Sequence, residues 1–169
     1  MGGLTVPSGI AQERLIRKAQ QNANVTPAQI DYVEAHGSGT KLGDPQEAEA
    51  LGRVFADTGK AILVGAVKSN IGHTEAAAGM AGLQKVVLSL KHDHLPPNLH
   101  FQEPNRLINW QDNPIKIVDH LTPIKTSNEN PIVGITSLGI NGSNAHLIIS
   151  GFDATSTKTT PKTPDVEQR

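Results

Sequence analysis

The chain has 169 residues, 37% of them apolar and only 3% aromatic, with a formal net charge of −1 and no cysteine. That length and apolar share suffice for one compact unit with a real core, while the near-zero charge gives no general attraction to nucleic acid or to an anionic membrane. The lack of cysteine excludes disulfides, thiolate metal sites and a cysteine nucleophile within these residues.

From Ser8 the apolar positions Ile10, Leu15, Ile16, Ala19 and Ala23 recur at helical spacing until Asn24, which predicts a first helix. Residues 30 to 36, IDYVEAH, alternate in the manner of a strand that would end at His36. After the glycine-rich GSGTKLG, Asp44 and Pro45 are the pair expected at a helix N-cap and first turn, with Glu47 three residues past the cap, and the helix should run to Phe55. Residues 61 to 67, AILVGAV, form the short unbroken apolar run of a strand buried on both faces of a parallel sheet, and His73 follows after KSNIG. A long helix is predicted from Thr74 to His92, and its small residues Ala76 to Ala78, Gly79, Ala81 and Gly82 suggest a deeply buried start.

Leu95-Pro96-Pro97-Asn98 ends that helix, and the stretch to Asn113 should wrap irregularly over the surface. Strands are predicted at 115 to 118, 132 to 138 and 145 to 150, the last two closing a hairpin through GINGSN. A domain over 1–151 is expected, followed by a disordered tail or linker start over 152–169, where TSTKTTPKTPDVEQR is almost without apolar residues. Plentiful Gly, Ala, Val and Ile suit helix-on-sheet packing, so the fold class is α/β. The opening MGGLTVPSG has neither a basic cluster nor an apolar run, and no stretch approaches the roughly 20 apolar residues of a membrane span, so a cytoplasmic location is expected.

Two predicted strands each deliver a histidine into the loop at their carboxyl end, in VEAHGSGT and in VKSNIGHTEAAAG. Ligands collect outside the carboxyl ends of strands in open parallel sheets, so His36 and His73 are expected to face one crevice. A lone loop histidine is usually structural, but two in matching positions beside glycine turns argue for a shared site. His92 and His94 make a poor metal pair, being alternate residues with no third ligand nearby, and no metal is expected. His100, His120 and His146 carry no motif argument for catalysis.

VEAHGSGTKLGDPQEAEAL, KSNIGHTEAAAGMAGLQKVVLSLKH, LPPNLHF and GITSLGINGSNAHLI closely resemble the C-terminal half of β-ketoacyl synthases, and in particular the ketosynthase domain of modular type I polyketide synthases. The likeness runs from about residue 2 to 150 through four motifs in the family's order. It implies a thiolase-like C-terminal half with a mixed β-sheet packed with helices. It implies an acyltransferase that condenses malonyl-type units on acyl carrier protein, in polyketide or fatty acid biosynthesis. The phosphopantetheine arm of that protein would carry substrate, with no cofactor bound, and the complete enzyme would be a dimer.

By this resemblance His36 and His73 share decarboxylation and enolate stabilisation, and Lys68 is the active-site lysine five residues before the second histidine. Ser38 and Thr40 fall on the hydroxyl pair that holds the pantetheine arm, with serine standing where threonine is usual. Gly139, Ile140, Asn141 and Gly142 match the loop at the acyl pocket, where the backbone N–H at Ile140 would complete an oxyanion hole, and Leu138 replaces a more common phenylalanine. Glu75 is a possible supporting carboxylate in a first helical turn.

The family's nucleophile is a cysteine of the first half, which this chain does not contain. Two functions follow: the second half of a ketosynthase whose cysteine comes from an N-terminal partner, or a non-catalytic remnant that binds carrier protein or another ketosynthase. The chain alone should be unable to condense, and the sheet face meant for the other half should be apolar, so that the isolated chain self-associates.

Overall fold

A computed structural model describes residues 8–139 and 141–152. The predicted tail falls outside the described residues apart from Phe152, and so does Ile140. Helix α1 (Gly9–Asn22) starts at Ser8, whose Oγ accepts the Ala11 N–H, and it ends where Asn24 turns to a φ of 54°. Strand β1 (Tyr32–Glu34) is fully buried, helix α2 spans Gly43–Phe55, and β2 (Ile62–Gly65) follows a 3-10 turn. Then come the single turn α3 (Lys68–Ile71), the long helix α4 (Ala78–His92), β3 (His94–Leu95), β4 (Ile115–Ile117), β5 (Thr122–Pro123), β6 (Ile132–Leu138) and β7 (Asn144–Ser150).

The larger sheet has the order β4-β2-β1-β6-β7. Strands β1, β2, β4 and β6 run parallel, whereas β7 pairs antiparallel with β6 as the predicted hairpin, so the sheet is mixed. Side chains alternate across it. Val33, Ile62, Val64 and Ile115 point to one face and meet Ile16 of α1 and Leu51, Val54 and Phe55 of α2. Tyr32, Val133 and Ile135 point to the other face and meet Val86 of α4.

Two expectations need correction. Helix α2 begins at Gly43, so Asp44 lies inside its first turn; the Thr40 hydroxyl accepts the Gly43 N–H, and Asp44 instead accepts the Gly39 N–H. The segment before α4 is a 3-10 turn over Glu75–Ala77, because Glu75 takes a φ of 50° that no α-helix accommodates. That start is buried only in part: Thr74 to Ala77 are exposed, whereas Ala78 and Gly82 are buried and Gly79 and Gly82 pack closely on Ser137 and Glu34. Small residues permit close approach, but nothing within these residues covers that end. The two-residue ladder between β3 and β5 escaped prediction, being too short to carry a period.

Candidate active site

Because β1 and β2 are parallel neighbours in register, Glu34 opposite Gly65, their carboxyl ends leave the sheet side by side. Gly37 makes the loops' contact possible: with φ at 48°, it passes so close to Ala66 that a side chain would collide. His36 and His73 consequently meet edge to face, ring centroids 5.5 Å apart and planes at 78°.

Backbone amides determine where each imidazole carries its proton. His36 Nδ1 accepts the Leu138 N–H at 3.3 Å, and His73 Nδ1 accepts the Glu75 N–H at 2.9 Å. An amide can only donate, so each Nδ1 is unprotonated and a neutral ring must bear its hydrogen on Nε2. Burial, then the nearby positive charge of Lys68, then His73, push the His36 pKa down to about 4. His36 is therefore neutral near pH 7.

The loop carrying His36 is clamped from behind. Glu47, 5% exposed, accepts the His36 N–H at 2.7 Å on one carboxylate oxygen and the Gly37 N–H at 2.9 Å on the other. Burial raises its pKa to about 7, against the pull of those two hydrogen bonds. Asp44 is likewise raised by burial, opposed by the backbone N–H groups it accepts. Half-buried Lys68 opens α3; burial lowers its pKa, while Glu47, Glu34 and Asp44 resist that shift.

The Ser38 and Thr40 hydroxyls lie 3.1 Å apart at the rim of the same loop, with Thr40 also accepting from Gly43. Glu75 joins the site through its backbone, its side chain being exposed. In the 139–142 turn, the Gly139 N–H donates to Ser143 and the Gly142 N–H to Gly139, while Asn141 Oδ1 accepts the Ser143 N–H. The expected oxyanion donor at Ile140 lies outside the described residues. Leu138 supplies the backbone amide that fixes His36.

Neither histidine lines the main cavity, a space of about 710 Å³ between α2 and the 98–110 loop that Glu47 and Lys68 reach from the side. His36 is half-buried and His73 exposed. Sequence reasoning missed Glu47 as a loop clamp. Its signal was present: an acid on the stripe shared with Ala48, Leu51 and Phe55, the buried face of α2. Among the described residues no group of three or more His, Cys, Asp or Glu is placed to hold a metal.

A mixed α/β sheet packed with helices is the architecture of ketosynthase structures, and family comparison agrees. Residues 1–102 match "Beta-ketoacyl synthase, C-terminal domain" and residues 104–168 match "Ketoacyl-synthetase C-terminal extension". The chain belongs to the β-ketoacyl synthase family, as the C-terminal part of a polyketide-synthase ketosynthase domain. The two matched segments build one sheet, since β1 from the first pairs with β6 from the second.

The chain is 47% identical over 150 residues to Erythronolide synthase EryA3 of Saccharopolyspora erythraea, covering 87% of this chain and 5% of that protein. It is 44% identical to Polyketide synthase GfsA of Streptomyces halstedii, of which it covers 2%. The ketosynthase from module 6 of the bacillaene synthase of Bacillus subtilis 168 superposes with a TM-score of 0.86 at 41% identity, over 90% of this chain and 28% of that one. The chain thus spans a small share of each relative. Among the described residues, no helix is long and apolar enough to cross a membrane.

Proposed function

We propose that this chain supplies one side of a decarboxylative condensing site, working in the cytoplasm with a cysteine-bearing N-terminal ketosynthase half and an acyl carrier protein. The observation that carries this reading is the His36–His73 pair, two rings 5.5 Å apart whose Nδ1 atoms each accept a backbone amide. When a malonyl thioester loses carbon dioxide, the electron pair of the broken C–C bond moves toward the thioester carbonyl, and negative charge grows on its oxygen. Two preorganised Nε2–H donors stabilise that oxygen. The resulting carbanion attacks the acyl thioester on the partner's cysteine, whose sulfur leaves as thiolate and takes up a proton.

Burial, reinforced by the positive charge of Lys68, disfavours a cation on His36 and so keeps that ring a donor in its neutral form. The hydroxyls of Ser38 and Thr40, at the rim of the same loop, suit the amides of a pantetheine arm. The 139–142 turn would contribute the Ile140 amide as a second oxyanion donor. The complete assembly is proposed as a dimer of two-half units.

The partner half has a surface to occupy. Met80, Val87 and Leu88 of α4 are 57%, 51% and 54% exposed, and Leu88 lines a groove with Ile71 and Leu121. The test mixes this chain with a first half bearing a cysteine and measures carbon dioxide release from malonyl carrier protein, followed by condensation. Release above that of either part alone is expected. If no cysteine-bearing half restores it, the split-site reading fails, leaving a non-catalytic module that binds carrier protein or a ketosynthase.

A further inference from the structure

Beneath the site, on the α4 side of the sheet, lies a buried charged cluster that the proposed chemistry does not use. Tyr32, Glu34 and Lys85 are 1%, 1% and 7% exposed. The Tyr32 hydroxyl donates to Glu34 Oε2 at 2.6 Å, Lys85 Nζ stands 2.8 Å from that same oxygen, and Lys85 also donates to the Tyr32 oxygen at 2.9 Å. Burial and the neighbouring Glu34 charge push the Tyr32 pKa far up, which keeps its phenol a donor.

Such a cluster is a poor device for stability. Burying an ion pair loses hydration that the mutual attraction barely returns, and well-packed apolar side chains often do as well or better. Space is nevertheless reserved for it: a Cβ at Gly65 would collide with the Tyr32 hydroxyl and lie 3.1 Å from Lys85 Nζ, and one at Gly82 would lie 3.3 Å from Glu34 Cγ. Two elements thus forgo a side chain to admit these three.

The oxygen of Glu34 that faces away from Lys85 shows what the cluster does. Glu34 Oε1 accepts the Val67 N–H at 2.6 Å, and Val67 is the cap residue immediately before Lys68 in the single turn α3. The preceding amide, Ala66 N–H, is held by Asn98 Oδ1 at 2.8 Å. A four-residue helical turn has too few internal bonds to set its own orientation; side chains gripping its entry must do so.

We infer that Tyr32, Glu34 and Lys85 are positioning residues: a buried carboxylate, oriented by a phenol and an ammonium, grips the Val67 amide and thereby sets where the Lys68 ammonium stands relative to His36. That role rests on the condensing-site reading of Lys68. Lys68 is faced by Glu34 from β1, by Asp44 and Glu47 from α2, and by His36 across the loops.

The test uses the full chain, bound to a first half wherever it self-associates alone, and reads geometry and charge rather than turnover. Hydrogen exchange of the Val67 amide is compared with that of Val33 in the adjacent core strand, and the Lys68 ε-amine is titrated by NMR, assigned through K68R. In E34Q, Val67 should exchange roughly tenfold faster relative to Val33, and the Lys68 pKa should fall by about one unit, since a stabilising anion has gone. E34M/K85M removes both charges and the acceptor of the Val67 amide without leaving an unpaired lysine, and should show the same relative loss at Val67. Unchanged Val67 exchange and Lys68 titration would overturn the assignment, as would failure of both variants to fold, which would mark the cluster as purely structural. Failure of the parent chain to release carbon dioxide with any first half refutes the condensing reading separately, without altering either readout.

Discussion

At His36 and His73 the decisive atom is Nδ1, occupied in both rings by an amide hydrogen, so that each neutral imidazole must donate from Nε2. Removing either donor, as in H36A or H73A, should lower decarboxylation in the reconstituted enzyme by about 10²- to 10³-fold, read as carbon dioxide release at saturating malonyl carrier protein. Glu47 acts one layer behind. In E47Q the amide NH2 cannot accept, so one of the two clamped N–H groups is orphaned at a cost of about 1–3 kcal/mol. Thermal melting should show that loss, with a fall in decarboxylation from a displaced His36. His146 contributes pH dependence by a different route. Buried and 3.0 Å from Thr136 Oγ1, it has its pKa lowered by burial from 6.5 to about 4. The unfolded chain binds a proton there before the folded chain does, so stability rises with pH across that window and is lost as pH falls through it, by up to about 3 kcal/mol. Glu47 works in the opposite sense, its raised pKa favouring the folded state most below 4.5 and losing that contribution as pH rises toward 7. Urea denaturation from pH 4 to 7 should therefore give a smaller acid-side loss in H146Q than in the parent.

At the scale of elements, helix α1 and the hairpin β6–β7 formed as expected, because both rest on local chemistry: apolar residues at helical spacing from Ser8, and a glycine-rich turn between two apolar runs. Replacing Ser8 by alanine should cost about 1 kcal/mol, measurable by chemical denaturation. The entry to α2 was misplaced by two residues because Thr40 and Asp44 both offer capping oxygens, and which amide each takes depends on the loop's tertiary path. At α4 the small residues foretold close packing, which Gly79 and Gly82 display, yet not which end would be covered. Burial belongs to a pair of surfaces, and no described residue supplies the second surface at Thr74 to Ala77.

For the whole molecule, the exposed apolar face of α4 is the main liability. Met80 and Val87, two turns apart, expose one apolar stripe, and Leu88 beside that stripe lines a shallow groove with Ile71 and Leu121. The isolated chain should self-associate in size-exclusion chromatography with light scattering, M80E/V87E should restore a monomer, and a first half should do the same for the parent chain. A clean monomer of the parent would contradict the half-domain reading at this scale.

The sequence by itself determined the α/β class, the two histidine loops, the hairpin and the family, because these depend on local periodicity and on short motifs whose residues are neighbours in the chain. Only the tertiary structure decided that the two imidazoles meet edge to face, that Leu138, 102 residues away, fixes the His36 tautomer, and that Glu47 and Glu34 hold the loops from opposite faces of one sheet. Those outcomes follow from parallel register and from burial, which link residues far apart in sequence, and a one-dimensional pattern does not encode which buried carboxylate will face which amide.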